Sequence, residues 1–232
     1  MEQSKHKIPS LASNSVILGI LLAMVGGFTD AYTFVSRDGV FANAQTGNMV
    51  LFAVKVAIGE WRESLLHIPP IIAFILGVLV SEVVMIPRLR HLLYSSRRSI
   101  LVLECLVLFI VGMMPDYLSN TVVTVCIAFV SSVQISTFTK LDKWNYNSTM
   151  TTGNLKTATK AAYSAFVDHD EESKRQFKEF LGIILSFLFG ALAGTFSTTY
   201  LGNRSIWFAA GVLVIALVLY HRDRGYYRNP AT

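Results

Sequence analysis

Two triplets, Thr46-Gly47-Asn48 and Thr152-Gly153-Asn154, stand inside otherwise apolar stretches of this 232-residue chain. Asparagine offers two donors and an acceptor without charge, threonine adds a hydroxyl, and glycine adds a backbone free to take φ > 0. The combination suits two tasks: holding a small polar solute, or satisfying backbone groups where a helix is broken. If helices resume at Met49 and Leu155, Gly47 and Gly153 mark the breaks, and Asn48 and Asn154 cap the returning helices. The helix N-termini would then favour an anion or a carbonyl oxygen. Asn43 lies in the same polar cluster as the first triplet. Asp30 follows Gly26-Gly27 in the first apolar run, where a carboxylate is rare and could relay a proton, hold a cation or cap a packed interface. Gln134 stands four residues before Phe138, as Asp30 stands four before Phe34. The expected substrate-binding set is therefore Asp30, Asn43, Thr46, Gly47, Asn48, Gln134, Thr152, Gly153 and Asn154. No catalytic residue, metal or cofactor is expected.

The elements that must position these residues are apolar helices. The chain is 53% hydrophobic and only 15% charged, with a mean hydropathy of +0.49. Soluble domains carry about 25% charge, which argues against a soluble enzyme. Six stretches have the length and apolarity of bilayer-crossing helices: Ser15–Val35, Ile68–Ile86, Ser99–Met114, Asn120–Thr139, Phe180–Tyr200 and Ser205–Tyr220. Val40–Gly59 and Thr149–Val167 have helical length but carry the polar clusters, so they read as interrupted or re-entrant segments. The fold class is an all-α polytopic helix bundle forming a single membrane domain over 1–232.

The net charge of +5 and pI of about 9.2 reflect basic residues in loops beside apolar runs, so topology explains them better than nucleic acid does. With six crossings and a cytoplasmic N-terminus, sixteen of the twenty lysines and arginines fall inside; only Arg37, Lys55, Arg62 and Arg204 fall outside. Both termini are then cytoplasmic. If both odd segments crossed fully, the basic cluster from Arg88 to Arg98 would face outward, against the positive-inside rule.

The two halves, 15–114 and 120–220, share an order of features: an apolar helix, a polar segment with T-G-N, then two more helices. A tripeptide match proves little, but the order carries weight. Phe74, Gly77 and Ser81 also match Phe187, Gly190 and Gly194, a spacing equally at home in ordinary small-residue helix packing. Three crossings per half would invert the second half, the plan of many transporters, whose interrupted segments meet near the midplane. The small-residue faces Gly77/Ser81 and Gly190/Gly194 would suit a homodimer.

Other residues read more plainly. Glu82 and Glu104 are expected at the cytoplasmic ends of their helices, reaching the interface or pairing with Arg88, Arg90 or Arg98. Lys156 and Lys160 share a helical face and snorkel to headgroups. The run Asp168-His169-Asp170-Glu171-Glu172 reads as a solvated loop. Cys105 and Cys126 lie in apolar runs and behave as small hydrophobes. A membrane enzyme would need paired acids, histidines or a metal cluster at one depth, and only Asp30 is deeply placed. The leading function is a membrane transporter or channel for a small polar or anionic solute; the alternative is a non-transporting scaffold or assembly protein. The expected partners are the lipid bilayer and the solute or ion.

Gly26-Gly27-Phe28-Thr29-Asp30-Ala31-Tyr32-x-Phe34, followed by Val40-Phe41-x-Asn43-x-x-Thr46-Gly47-Asn48, resembles the signature of the YoaK family of bacterial membrane proteins. The resemblance covers nearly the whole chain, including Gln134 and Thr152-Gly153-Asn154. It implies a bacterial inner-membrane protein of about six or seven helices. Some members of that family carry a transporter label without an agreed substrate, and it supplies no established catalytic residues.

Overall fold

The computed structural model describes residues 15–85, 96–115 and 117–228. In chain order the elements are α1 (Val16–Ser36), α2 (Gln45–Ala57), α3 (Trp61–Leu65), α4 (Ile68–Met85), α5 (Ser96–Met113), α6 (Asn120–Thr137), β1 (Lys140–Leu141), β2 (Trp144–Asn145), α7 (Thr151–Val167), α8 (Glu171–Leu201), a 3-10 turn (Gly202–Ser205) and α9 (Ile206–Arg228). Among the described residues, four helical stretches are long and apolar enough to cross a membrane: α1, α3 with α4, α6, and the 51-residue stretch from Glu171 to His221. The last is two helices, because Gly202 takes φ 57° and breaks it. Helix α5 has the length of a span but carries Arg97, Arg98 and Glu104.

The burial pattern is that of a protein solvated by lipid. Ile72, Ile75 and Leu79 on α4 and Leu185, Leu188, Phe189 and Leu192 on α8 are exposed, whereas Thr29, Asp30 and Thr33 on α1 and Ser131, Ser132, Gln134 and Thr137 on α6 are buried. Apolar outside and polar inside fits a hydrocarbon environment.

The two halves interlock. Helix α1 packs along α8, and α6 packs along α4; α5 pairs with α9. Glycines set the closeness of the first pair. A Cβ on Gly27 would lie 2.0 Å from the Phe187 carbonyl oxygen, and one on Gly190 would lie 2.0 Å from that of Met24. Only glycine lets these backbones touch. On the second pair, a Cβ on Gly77 would strike Ser132 Oγ and the Phe129 carbonyl, and Ser81 Oγ meets Thr137 Oγ1 at 3.3 Å. The small-residue faces expected to suit a homodimer are thus filled within the chain.

Several boundaries differ from the sequence reading. Helix α8 begins well before Phe180, because Asp170 caps it: its carboxylate accepts from the Glu172 and Ser173 N–H groups at 3.4 and 2.9 Å. The acidic run is therefore a helix start rather than only a loop. The all-α reading missed a two-stranded antiparallel hairpin, with Lys140 opposite Asn145 and Leu141 opposite Trp144. Leu141 anchors it, fully buried with Tyr146, Phe180 and Ile183. Ion pairs Lys143–Glu172 and Arg175–Asp142, at 2.5 and 3.0 Å, tie the hairpin to the start of α8. Glu104 is not at a helix end: it is the ninth residue of α5 and buried. Lys5, Lys7, Arg88, Arg90 and the end of the second span at Ile86 lie outside the described residues.

Candidate functional site

The two segments that interrupt the bundle are 37–44, between α1 and α2, and 138–150, between α6 and α7. Irregular backbone packed inside a bundle of apolar helices must find partners for its amides. In the first segment side chains supply them. Asn48 Oδ1 accepts from Phe41 N at 3.0 Å, while its Nδ2 donates to the Phe41 carbonyl at 2.8 Å. Thr33 Oγ1 accepts from Ala42 N at 3.1 Å. Asp30 Oδ1 accepts from Asn43 N at 2.7 Å and from Ala44 N at 3.4 Å. Asp30 is thus a carboxylate cap, lent by α1, at the positive end of α2.

The second segment repeats the clamp. Asn154 Oδ1 accepts from Asn147 N at 3.4 Å, and its Nδ2 donates to the Asn147 carbonyl at 2.6 Å. Each triplet asparagine therefore holds both backbone groups of the residue seven positions earlier. The cap differs. Asn147 Oδ1 accepts from Thr149 N and Met150 N, each at 3.0 Å, so this segment caps itself. Gln134, in the place related to Asp30, is buried with its Nε2 unpartnered.

The triplets sit one turn later than their glycines suggest. The helices start at Gln45 and Thr151, with Ala44 and Met150 at the N-cap positions. Gly47 and Gly153 are helical and carry no positive φ; the left-handed residues lie elsewhere, at Asp38, Gly39 and Asp142 among others. Asn48 and Asn154 are accordingly one full turn inside, not caps. Of each triplet only the asparagine is buried: Thr46, Thr152 and Gly153 are exposed and Gly47 is half-buried. The structure does not bring those four residues into a common cluster.

It does bring both interrupted segments to the middle of α1. Asn43 Nδ2 donates to the Gly26 carbonyl at 3.3 Å and to Thr29 Oγ1 at 2.9 Å. From the other half, Thr149 and Ser148 reach the same glycine: a Cβ on Gly26 would lie 2.5 Å from Thr149 Cγ2 and 3.7 Å from the Ser148 carbonyl oxygen. Gly26 is the eleventh of the 21 residues of α1. At this convergence Asn43 Oδ1 and Ser148 Oγ are buried without hydrogen-bond partners. Two apolar grooves, about 270 Å³ beside Phe28 and Phe208 and about 430 Å³ beside Ile72 and Phe129, lie between lipid-facing helices instead.

A family model described as a protein of unknown function (DUF1275) matches residues 18–219. The chain belongs to that family. The YoaK resemblance and this match are one assignment, since the YoaK family is the DUF1275 family. No curated protein and no solved structure matches the chain. With the apolar helices, membership makes this DUF1275 protein a membrane protein.

Two groups at the site, and one beyond the end of α1, escaped the sequence reading. Ser148 and Asn147 belong to the polar run Asn145-x-Asn147-Ser148-Thr149, whose Asx-turn signature marks a helix start. Arg37 gave no signal beyond its charge. It is buried at the end of α1, and its guanidinium donates to Asn120 Oδ1 at 3.0 Å, Tyr32 Oη at 2.8 Å and Asn203 Oδ1. It joins the end of α1 to α6 and to the turn between α8 and α9.

Proposed function

We propose that this protein is a transporter or channel for a small polar or anionic solute. Its site lies where the two interrupted segments meet α1. The observation that carries the reading is the convergence on Gly26, with Asn43 Oδ1 and Ser148 Oγ buried and unpartnered there. Buried polar atoms are nearly always satisfied, so such a pair in a bilayer-embedded bundle points to a polar guest. In this reading Asn43, Ser148 and Gln134 present groups to the solute. Asp30, Asn48 and Asn154 hold the segments in place. The helix pairing supports an inverted repeat: exchanging the halves turns the α1–α8 contact into α6–α4 and leaves α5–α9 in place. The charge distribution supports six crossings in a bacterial cytoplasmic membrane with both termini inside.

A scaffold reading draws on a different observation: both triplet amides are bound to their own segment's backbone. Single cysteines at positions 43 and 148, in a chain lacking Cys105 and Cys126, distinguish the two. The transport reading expects a small membrane-impermeant thiol reagent to reach Asn43→Cys from the outer face and Ser148→Cys from the inner face. Gln134→Leu should leave the folded yield unchanged and abolish any flux. Two folded but unreactive cysteine variants would transfer the assignment to the scaffold.

A further inference from the structure

We propose that Glu104, with Ser131 across the contact between α5 and α6, is a proton-binding site inside the helix bundle. Glu104 is 1% exposed and sits at the middle of α5. Its Oε1 meets the Ser131 hydroxyl at 3.5 Å, and its Oε2 is buried with no hydrogen-bond partner. Leu101 and Leu108, on the same helical face, are both 0% exposed, so the carboxyl lies in an apolar sleeve.

The elements packed against α5 are α6, α9 and the 3-10 turn. Helix α6 carries no Asp, Glu, Lys or Arg from Asn120 to Thr137, and α9 carries none from Ile206 to Tyr220; their titratable groups are Cys126 and Tyr220. The turn contributes Arg204, which is exposed. On α5 itself Arg97 and Arg98 stand in the first turn, and the Cys105 thiol points to the Ala210 carbonyl at 3.7 Å. No cation lies within salt-bridge distance of Glu104 among the described residues.

A lone carboxylate in such surroundings is costly until a cation completes it. Two oxygen-bearing side chains are too few to enclose a calcium or magnesium ion, which takes about six or more oxygens. A proton needs one. Glu104 also differs from Asp30, whose carboxyl group receives two backbone N–H groups; among the described residues no backbone group reaches Glu104 in the same way. The site is independent of the solute reading.

The test uses the full chain in detergent, without solute. A protonated carboxyl in apolar surroundings gives its proton to a nitrogen of dicyclohexylcarbodiimide and adds through oxygen to the central carbon, and peptide mass spectrometry locates the rearranged N-acylurea adduct. Between about pH 5 and about pH 10, the adduct on Glu104 should fall with rising pH, approaching about tenfold per pH unit above its midpoint. Ser131→Ala should displace the midpoint, and Glu104→Gln should remove the adduct. An adduct yield that does not vary with pH, or no adduct on folded wild-type protein, would overturn the site. An unmoved midpoint in Ser131→Ala would remove Ser131 from it. The wild-type titration decides the main question even if a variant fails to fold.

Discussion

The segments before α2 and before α7 face the same physical problem and solve it with different side chains. In each, an asparagine one turn into the following helix clamps the backbone of the residue seven positions back. In each, the two N–H groups just ahead of the helix need an acceptor. Asn43 and Ala44 find it in Asp30, on another helix; Thr149 and Met150 find it in Asn147, within their own segment. The comparison separates what both halves require from what only one has acquired. A local amide suffices in the second half, so an acidic side chain is more than this contact requires. The second half, capped locally, leaves the Gln134 amide nitrogen unengaged.

The largest effect should come from breaking the cap that has no local substitute. Asp30→Ala leaves one buried and one partly buried N–H group without an acceptor and should destabilise the protein by about 2–6 kcal/mol, at about 1–3 per orphaned group. Thermal unfolding in detergent measures the loss. Phe41→Asn copies the arrangement of Asn147 and should recover part of it in the Asp30→Ala background. No recovery would mean that the two segments are not interchangeable at this position.

A smaller effect sharpens the comparison of the clamps. Asn48 makes contacts that Asn154 lacks, with Gln45 Oε1 at 3.0 Å and His67 Nδ1 at 3.4 Å. Asn48→Ala should therefore cost about 1 kcal/mol more than Asn154→Ala, the worth of one or two neutral hydrogen bonds. Equal losses in the same melting assay would show that the shared clamp accounts for the whole effect.

The smallest effect concerns α8, which has a side-chain N-cap where α2 has a carboxylate from a neighbouring helix. The Ser173 hydroxyl, then the Ser173 N–H, hold the Asp170 carboxyl below its ordinary range. Because the folded value is depressed, the stabilisation is present above the unfolded value and is lost as pH falls through the folded one. Asp170→Asn, a competent neutral cap, should flatten this acid dependence with little loss at neutral pH. An unchanged acid profile would assign the dependence to other carboxyls.

Much of this architecture was legible because lipid-facing helices advertise themselves by length and apolarity. Helices α1 and α6 begin and end, and α4 begins, within about two residues of the hydropathy reading, within the usual fuzziness of helix ends. Asp30 and Asn43 were each legible as residues of interest, Asp30 because a carboxylate in an apolar run is rare and Asn43 through its polar cluster, but not as partners. The helix starts were not. Glycine in a first turn invites the reading of a break, but Gly47 and Gly153 are simply helical, and the break is made earlier by Asp38-Gly39 and by a hairpin around Asp142. Those are long-range solutions: Asp38 is held by Asn120, and Asp142 by Arg175. Glu104 was misplaced for a related reason. Hydropathy started its helix at Ser99, whereas α5 begins at Ser96, and Ser131 lies 27 residues away along the chain.

The glycine contacts of the bundle also have a mechanical consequence. Backbone pressed on backbone at Gly27, Gly190 and Gly194 leaves little side-chain cushion for sliding, and Gly77 seats tightly on Ser132 Oγ and the Phe129 carbonyl between α4 and α6. Each of these two struts joins a helix of the first half to a helix of the second. The halves are stitched across one another and cannot rock apart as separate bodies. The least costly motion is strut against strut, with the loose seam following the boundary between the pairs and not the midpoint of the sequence.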